Sequence, residues 1–151
     1  MSKLHRAVFP GSFNPLHDGH LNIIKRAAHL FEYLYVAVSI NIDKKNKADI
    51  RDRFQKVKNI IDKKLKLKNV KVVLNNGLTI NLLKKFKCQY IVRSIRGVRD
   101  IQYEINMAQN NHLLANKIET IFFVSSNKLK KVSSSNLREL IRQKRLIKKG
   151  S

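Results

Sequence analysis

Only one cysteine, Cys88, occurs in the 151 residues. An internal disulfide framework is therefore excluded, and the chain fits a reducing cytoplasm. Nothing at the N-terminus resembles a signal peptide, because His5 and Arg6 interrupt the only early apolar run. No segment approaches the ~18 apolar residues of a membrane span. Neither a Gly-x-x-x-x-Gly-Lys loop nor a Gly-x-Gly-x-x-Gly run is present, so this is neither a Walker A loop nor a dinucleotide fingerprint. Internal repeats, low-complexity linkers and signs of a second domain are also missing. The length and a hydrophobic content of 43% suit a single domain over residues 1–151.

Acidic residues are scarce as well. Ten Asp plus Glu face 32 Lys plus Arg, a formal charge of +22. That balance favours polyanionic ligands and brings in a rival of another class, a basic nucleic-acid-binding domain. Against the rival, the lysines are scattered through helical stretches among many asparagines and isoleucines, as a compositional bias would leave them. Regular aromatic interleaving and any zinc or helix-turn-helix signature are missing too.

What the chain does have is concentrated in Phe9-Pro10-Gly11-Ser12-Phe13-Asn14-Pro15-Leu16-His17-Asp18-Gly19-His20. A short strand, Leu4 to Phe9, precedes it. Leu21, Ile23, Ile24, Ala27, Ala28 and Phe31 follow at helical spacing. Gly11 would let the backbone approach a ligand, and two prolines stiffen the connection. If His20 opens the helix, its ring and the unpaired N–H groups of the first turn face the same anion. A metal pair of His17 and His20 would need further ligands, and Cys88 lies before a different strand. Phosphate handling suits these histidines better.

Further strands are expected at Tyr33–Ile40, Val70–Leu74, Tyr90–Val92 and Glu119–Val124. Between them lie a helix capped by Asp49 with Ile50, Phe54, Val57, Ile60 and Ile61 as its buried stripe, a short helix capped by Thr79 or Asn81, and a helix from Ile101 to near Asn116. A last helix carries Leu137, Leu140, Ile141 and Ile147. This alternation predicts an α/β fold, an open parallel five-stranded sheet with helices on both faces. Ligands of such sheets bind at the carboxyl ends of the strands, where strand order reverses. Four polar groups converge there: Ser12, His17 and His20; Lys44, with Lys45 as its companion; Arg93, Arg96, Asp100 and Glu104; and Ser133, Ser134 and Ser135. Arginines clamp phosphate oxygens, carboxylates accept from ribose hydroxyls, and the serine run offers a second anion seat at a helix start. No activated nucleophile is evident, which fits direct transfer of a nucleotidyl group between two bound substrates.

Pro-Gly-Ser-Phe-Asn-Pro-Leu-His-Asp-Gly-His resembles the first signature of the nucleotidylyltransferase superfamily. Arg93-Ser-Ile-Arg-Gly-Val-Arg-Asp-Ile-Gln-Tyr-Glu104 and Ser133-Ser-Ser-Asn-Leu-Arg-Glu139 resemble later signatures of the phosphopantetheine adenylyltransferase family. The likeness runs from about residue 4 to 141. It implies a Rossmann-like fold and transfer of AMP from ATP to 4'-phosphopantetheine, giving dephospho-coenzyme A and pyrophosphate. It also implies Mg²⁺ carried mainly on the ATP phosphates, with no metal ligands of the protein's own, and a cytoplasmic homohexamer with no membrane or specific nucleic-acid partner.

Residue by residue, the resemblance puts His20 on the α-phosphate, with Lys44 and Arg93 on the acceptor phosphate that Ser12 orients. Arg96 falls to the ATP phosphates, Asp100 and Glu104 to the ribose side, and Ser133 to Ser135 to the β- and γ-phosphates. Gly11, Phe13 and His17 belong to the nucleotide-binding turn; Gly77, Leu78 and Asn81 line the pantetheine arm. His17 and Ser94 stand where the family often has threonine and glycine, and Asn81 replaces an aspartate. Because the first signature is shared, nicotinamide mononucleotide adenylyltransfer and glycerol-phosphate cytidylyltransfer are the near alternatives.

Overall fold

The computed structural model describes residues 5–40, 47–126 and 134–150. In chain order it contains β1 (Arg6–Gly11), α1 (Asp18–Leu30), β2 (Tyr33–Ser39), α2 (Lys47–Lys64) and β3 (Val70–Asn75). Then follow α3 (Thr79–Lys85), β4 (Tyr90–Ile95), α4 (Val98–Leu114), β5 (Glu119–Val124) and α5 (Ser134–Gly150). The five strands form one parallel sheet in the order β3-β2-β1-β4-β5. Strand order therefore reverses across β1 and β4, and a cleft opens where their carboxyl ends part.

Period-two alternation divides the sheet between two cores. Ala7, Phe9, Val36 and Val38 face α1 and α2, meeting Ile23, Ile24, Ala27, Val57 and Ile61. Val8, Ala37, Val73 and Ile91 point the other way, onto Ile80, Leu82 and Leu83 of α3. The central strands are buried on both faces, so they read in sequence as nearly unbroken apolar runs. Among the described residues no helix is long and apolar enough to cross a membrane.

Several boundaries differ from the sequence reading: β1 runs on to Gly11 and α4 spans Val98–Leu114, and four others bear on the site. Helix α1 starts at Asp18 with His17 as its N-cap, so His20 is the third helical residue rather than the opening one. Helix α2 starts at Lys47, which puts Asp49 inside the first turn as a charge facing the helix dipole instead of a cap. The cap of α3 is Leu78, with no side-chain bond. The Thr79 hydroxyl is in contact instead with Asn75 Nδ2 at 3.4 Å. Finally, β4 pairs with β5 as far as Ile95. Arg93 and Ser94 are strand residues, not loop residues, and alternation sends Arg93 to the α4 side.

Candidate active site

The turn after β1 is built by mutual packing. Phe13 adopts φ 46°, in the left-handed region, which is unfavourable for a side chain of that size. The ring compensates by being buried edge-on against Phe9 and His20, with centroid separations of 5.4 and 5.1 Å. Gly11 makes the space: a Cβ there would lie 2.9 Å from Phe13 Cζ. Its smallness serves the aromatic ring beside it as well as the cleft.

The two histidines then close the helix start. His17 Nδ1 accepts from the Gly19 N–H at 3.1 Å, and His20 Nδ1 accepts from the His17 N–H at 3.2 Å, a reciprocal capping box. Their rings stack at 3.7 Å. Burial, then the neighbouring His17 and Arg96, push the His20 pKa down to about 4. The ring is therefore neutral at pH 7. With Nδ1 occupied as an acceptor, its proton sits on Nε2.

Across the cleft, Arg93 donates through Nε and Nη2 to the two oxygens of Glu104, at 2.9 and 2.7 Å, and through Nη1 to Pro10 O at 3.2 Å. Glu104 is buried, and its hydrogen bonds raise the Arg93 pKa above its ordinary range. A guanidinium has five donors; among the described residues these contacts engage three, which leaves two for a ligand. Arg96 is exposed. Its backbone N–H donates to Asp100 at 3.1 Å, and its Nε lies 3.6 Å from the same carboxylate oxygen.

Two clefts flank the carboxyl end of β1. The first, about 770 Å³, takes in Gly11, Ser12, Phe13, His17, His20, Arg93, Ser94, Arg96, Asp100 and Glu104, with Ser125 and Ser126 also on its wall. The second, about 650 Å³, is more apolar, with Gly77, Leu78, Ile80, Ile91, Met107 and Leu114 along its walls. Pro10, Gly11, Ser12, Arg93, Tyr103 and Glu104 border both. Two ligands seated one in each cleft would meet at Ser12 and Arg93.

Two of the four expected polar groups thus share one cleft. Lys44, its companion Lys45 and Ser133 lie outside the described residues. Ser134 begins α5, while Ser135 and Asn81 are exposed and border neither cleft. Both oxygens of Glu104 are engaged by Arg93, so its carboxylate is committed to holding that arginine.

Other contributors went unseen in the sequence. Asn75 is buried and donates to Ser39 Oγ at 3.2 Å, and its Oδ1 accepts from the Gly77 N–H at 3.3 Å, holding the second cleft's loop. Arg26 of α1 donates to Val124 O at 2.9 Å, fixing the exit of β5 beside Ser125. Arg53 of α2 donates to the Ser12 and Ser39 carbonyls. Arg53 did leave a trace: it lies within the Ile50, Phe54, Val57 stripe, where a cation is out of place.

Fold and site together define the class. Residues 8–140 match the cytidylyltransferase-like family. Among solved structures of similar fold is the nicotinic acid mononucleotide adenylyltransferase of Plasmodium falciparum, with a TM-score of 0.61 at 18% identity, covering 90% of this chain and 71% of that one. Another is the pantoate-beta-alanine ligase of Francisella tularensis, with a TM-score of 0.58 at 14% identity, covering 91% and 69%. At such identities the likeness is one of fold.

The sequence relatives are nearer. The phosphopantetheine adenylyltransferase of Mycoplasma mycoides subsp. mycoides is 40% identical over 135 residues, 89% of this chain and 94% of that protein. Its counterpart from Clostridium perfringens strain SM101 is 42% identical over 134 residues, 88% and 79%. The chain belongs to the phosphopantetheine adenylyltransferase family.

Proposed function

We propose that this chain, acting as one domain over residues 1–151, transfers AMP from ATP to 4'-phosphopantetheine, releasing pyrophosphate and dephospho-coenzyme A. The observation that carries the reading is the shared wall between the clefts: a polar cleft suited to a nucleotide adjoins a more apolar one suited to a pantetheine arm. Support for the acceptor comes from the near full-length relatives.

The acceptor phosphate, with a second pKa near 6, is largely dianionic at neutral pH and needs no protein base. One of its oxygens attacks the α-phosphorus of ATP in line. The new P–O bond forms as the bond to the bridging oxygen breaks, and pyrophosphate leaves with that electron pair. Ser12 and the two remaining donors of Arg93 orient the acceptor, and Lys44 is assigned to the same phosphate. His20 donates from Nε2 to the α-phosphate, where charge develops. Arg96 holds the triphosphate and Asp100 the ribose side; the terminal phosphates are assigned to Ser133 and Ser134, since Ser135 borders neither cleft.

Among the described residues no three His, Cys, Asp or Glu side chains converge as metal ligands, and both carboxylates of the nucleotide cleft are in contact with arginines. That donor set suits Mg²⁺ delivered with ATP on the phosphate oxygens rather than held in a protein cage. When bound, the ion neutralises charge on the departing pyrophosphate.

We assign the protein to the cytoplasm and to a homohexamer. The exposed apolar side chains Val98, Ile101, Ile105 and Leu113 on α4 support self-association, and light scattering at physiological salt tests it. For the reaction, pyrophosphate release is measured with ATP or CTP against 4'-phosphopantetheine, nicotinamide mononucleotide and glycerol 3-phosphate. Turnover confined to ATP with 4'-phosphopantetheine is expected; preference for another pair would overturn the assignment.

A further inference from the structure

Helix α2 buries Val57 and Ile61 in the core they share with β1 and β2, and Ile50 one turn before Arg53 is buried as well. Arg53 sits in the same stripe, partly buried, where an apolar side chain would pack without desolvating a charge. Its Nε is buried and has no partner among the described residues. A buried donor left unmatched is a cost that packing alone gives no reason to keep.

What the guanidinium does hold is specific. Nη1 donates to Ser12 O at 2.8 Å and to Ser39 O at 3.2 Å. The β1–β2 ladder ends with Gly11 opposite Val38, so Ser12 and Ser39 are the next residues along. Past the last pair, a side chain from the neighbouring helix bridges two strand ends that would otherwise part. Ser12 lies on the wall common to both clefts, whereas Ser39 borders only the apolar one. Arg53 itself borders neither.

We propose that Arg53 is a positioning residue for the acceptor: by tying the Ser12 and Ser39 carbonyls together beyond the β1–β2 ladder, it fixes the Ser12 hydroxyl where the acceptor phosphate docks. The role rests on the adenylyl-transfer reading above. It also accounts for the unmatched Nε, since the side chain is aimed by its two carbonyls and not by its own complete satisfaction.

The test is a double-mutant cycle on the full chain, with steady-state KM for 4'-phosphopantetheine and for ATP in the unaltered protein, Arg53→Met, Ser12→Ala and the double variant. Losing charged hydrogen bonds to a partly buried site is expected to raise the acceptor KM by roughly tenfold or more in Arg53→Met, with KM for ATP near its starting value. In the Ser12→Ala background the same change should add little, because the group being positioned is gone. Arg53→Lys should recover part of the loss.

A folded Arg53→Met protein with unchanged acceptor KM, equal rises in both KM values, or full additivity with Ser12→Ala would each overturn the proposal. Should Arg53→Met fail to fold, the same cycle with Arg53→Gln decides by the same outcomes. If the unaltered protein does not turn over 4'-phosphopantetheine, the functional reading fails instead, and the cycle is read on whichever acceptor the screen identifies.

Discussion

His20 accepts the backbone N–H of His17 through Nδ1, at 3.2 Å, while its ring stacks on that of His17. One contact thus fixes both the direction of the ring and the nitrogen that keeps the proton. With a pKa held near 4 by burial, then by His17 and Arg96, the free protein presents a neutral Nε2–H donor. An NMR titration of the His20 ring should show its inflection near 4 in the free protein, moved upward by ATP, whose negative charge favours the imidazolium. The same shift bears on stability. Between the ordinary 6.5 and about 4, the unfolded chain takes up a proton that the fold refuses. Stability from this residue is therefore complete above 6.5 and falls as pH drops towards 4.

Replacing that donor should fall on the chemical step. His20→Ala is expected to lower kcat by roughly 10²–10³, with a much smaller change in KM for ATP, because the contact strengthens as charge builds on the transferring phosphate. Steady-state pyrophosphate release measures this. An unchanged kcat would remove His20 from the mechanism.

The Arg93–Glu104 pair predicts a different split. Glu104 is nearly inaccessible, with its side chain 7% exposed against 31% for Arg93. Glu104→Gln keeps the volume but leaves the guanidinium with a weaker partner. A loss of about 1–3 kcal/mol in unfolding free energy is expected, reduced by Arg93's partial exposure. The acceptor KM should rise, since Arg93 is no longer held at the wall between the clefts. Urea denaturation and initial rates check the two parts separately.

Gly19 makes a more local test. A Cβ there would lie 2.8 Å from His17 Cε1 and 3.0 Å from His17 Nδ1. In Gly19→Ala the imidazole must swing away, losing both its stack on His20 and the cap, for about 1 kcal/mol of stability. Activity should fall with it, because His20 loses the ring that backs it. Thermal denaturation alongside kcat detects this, and a variant equal to the parent in both would show that the paired rings are ornamental.

Much of this was readable in advance. Tyr33–Ser39 announces itself because a doubly covered strand leaves a nearly unbroken apolar signature, and α1 does so because its stripe repeats at helical spacing. The pairing of His17 with His20 was visible as a spacing, but the cap they form was not, since it depends on which nitrogen meets which amide. The reach of β4 to Ile95 was hidden for another reason: β5 supplies the ladder that continues it, and Arg93 and Ser94 do not look like strand interior. Asn75 and Arg53 bind groups close in space and distant or unremarkable in sequence, so no local pattern marks what they hold. The clefts themselves came from strand order, which periodicity constrains and does not spell out.

The central claim is that two phosphorylated reactants occupy adjoining clefts together and react without passing through the protein. Initial rates measured over a grid of ATP and 4'-phosphopantetheine concentrations test it most directly. Double-reciprocal lines that intersect are predicted, the mark of both substrates bound before either product leaves; parallel lines, the mark of a nucleotidylated enzyme formed between two separate visits, would contradict it.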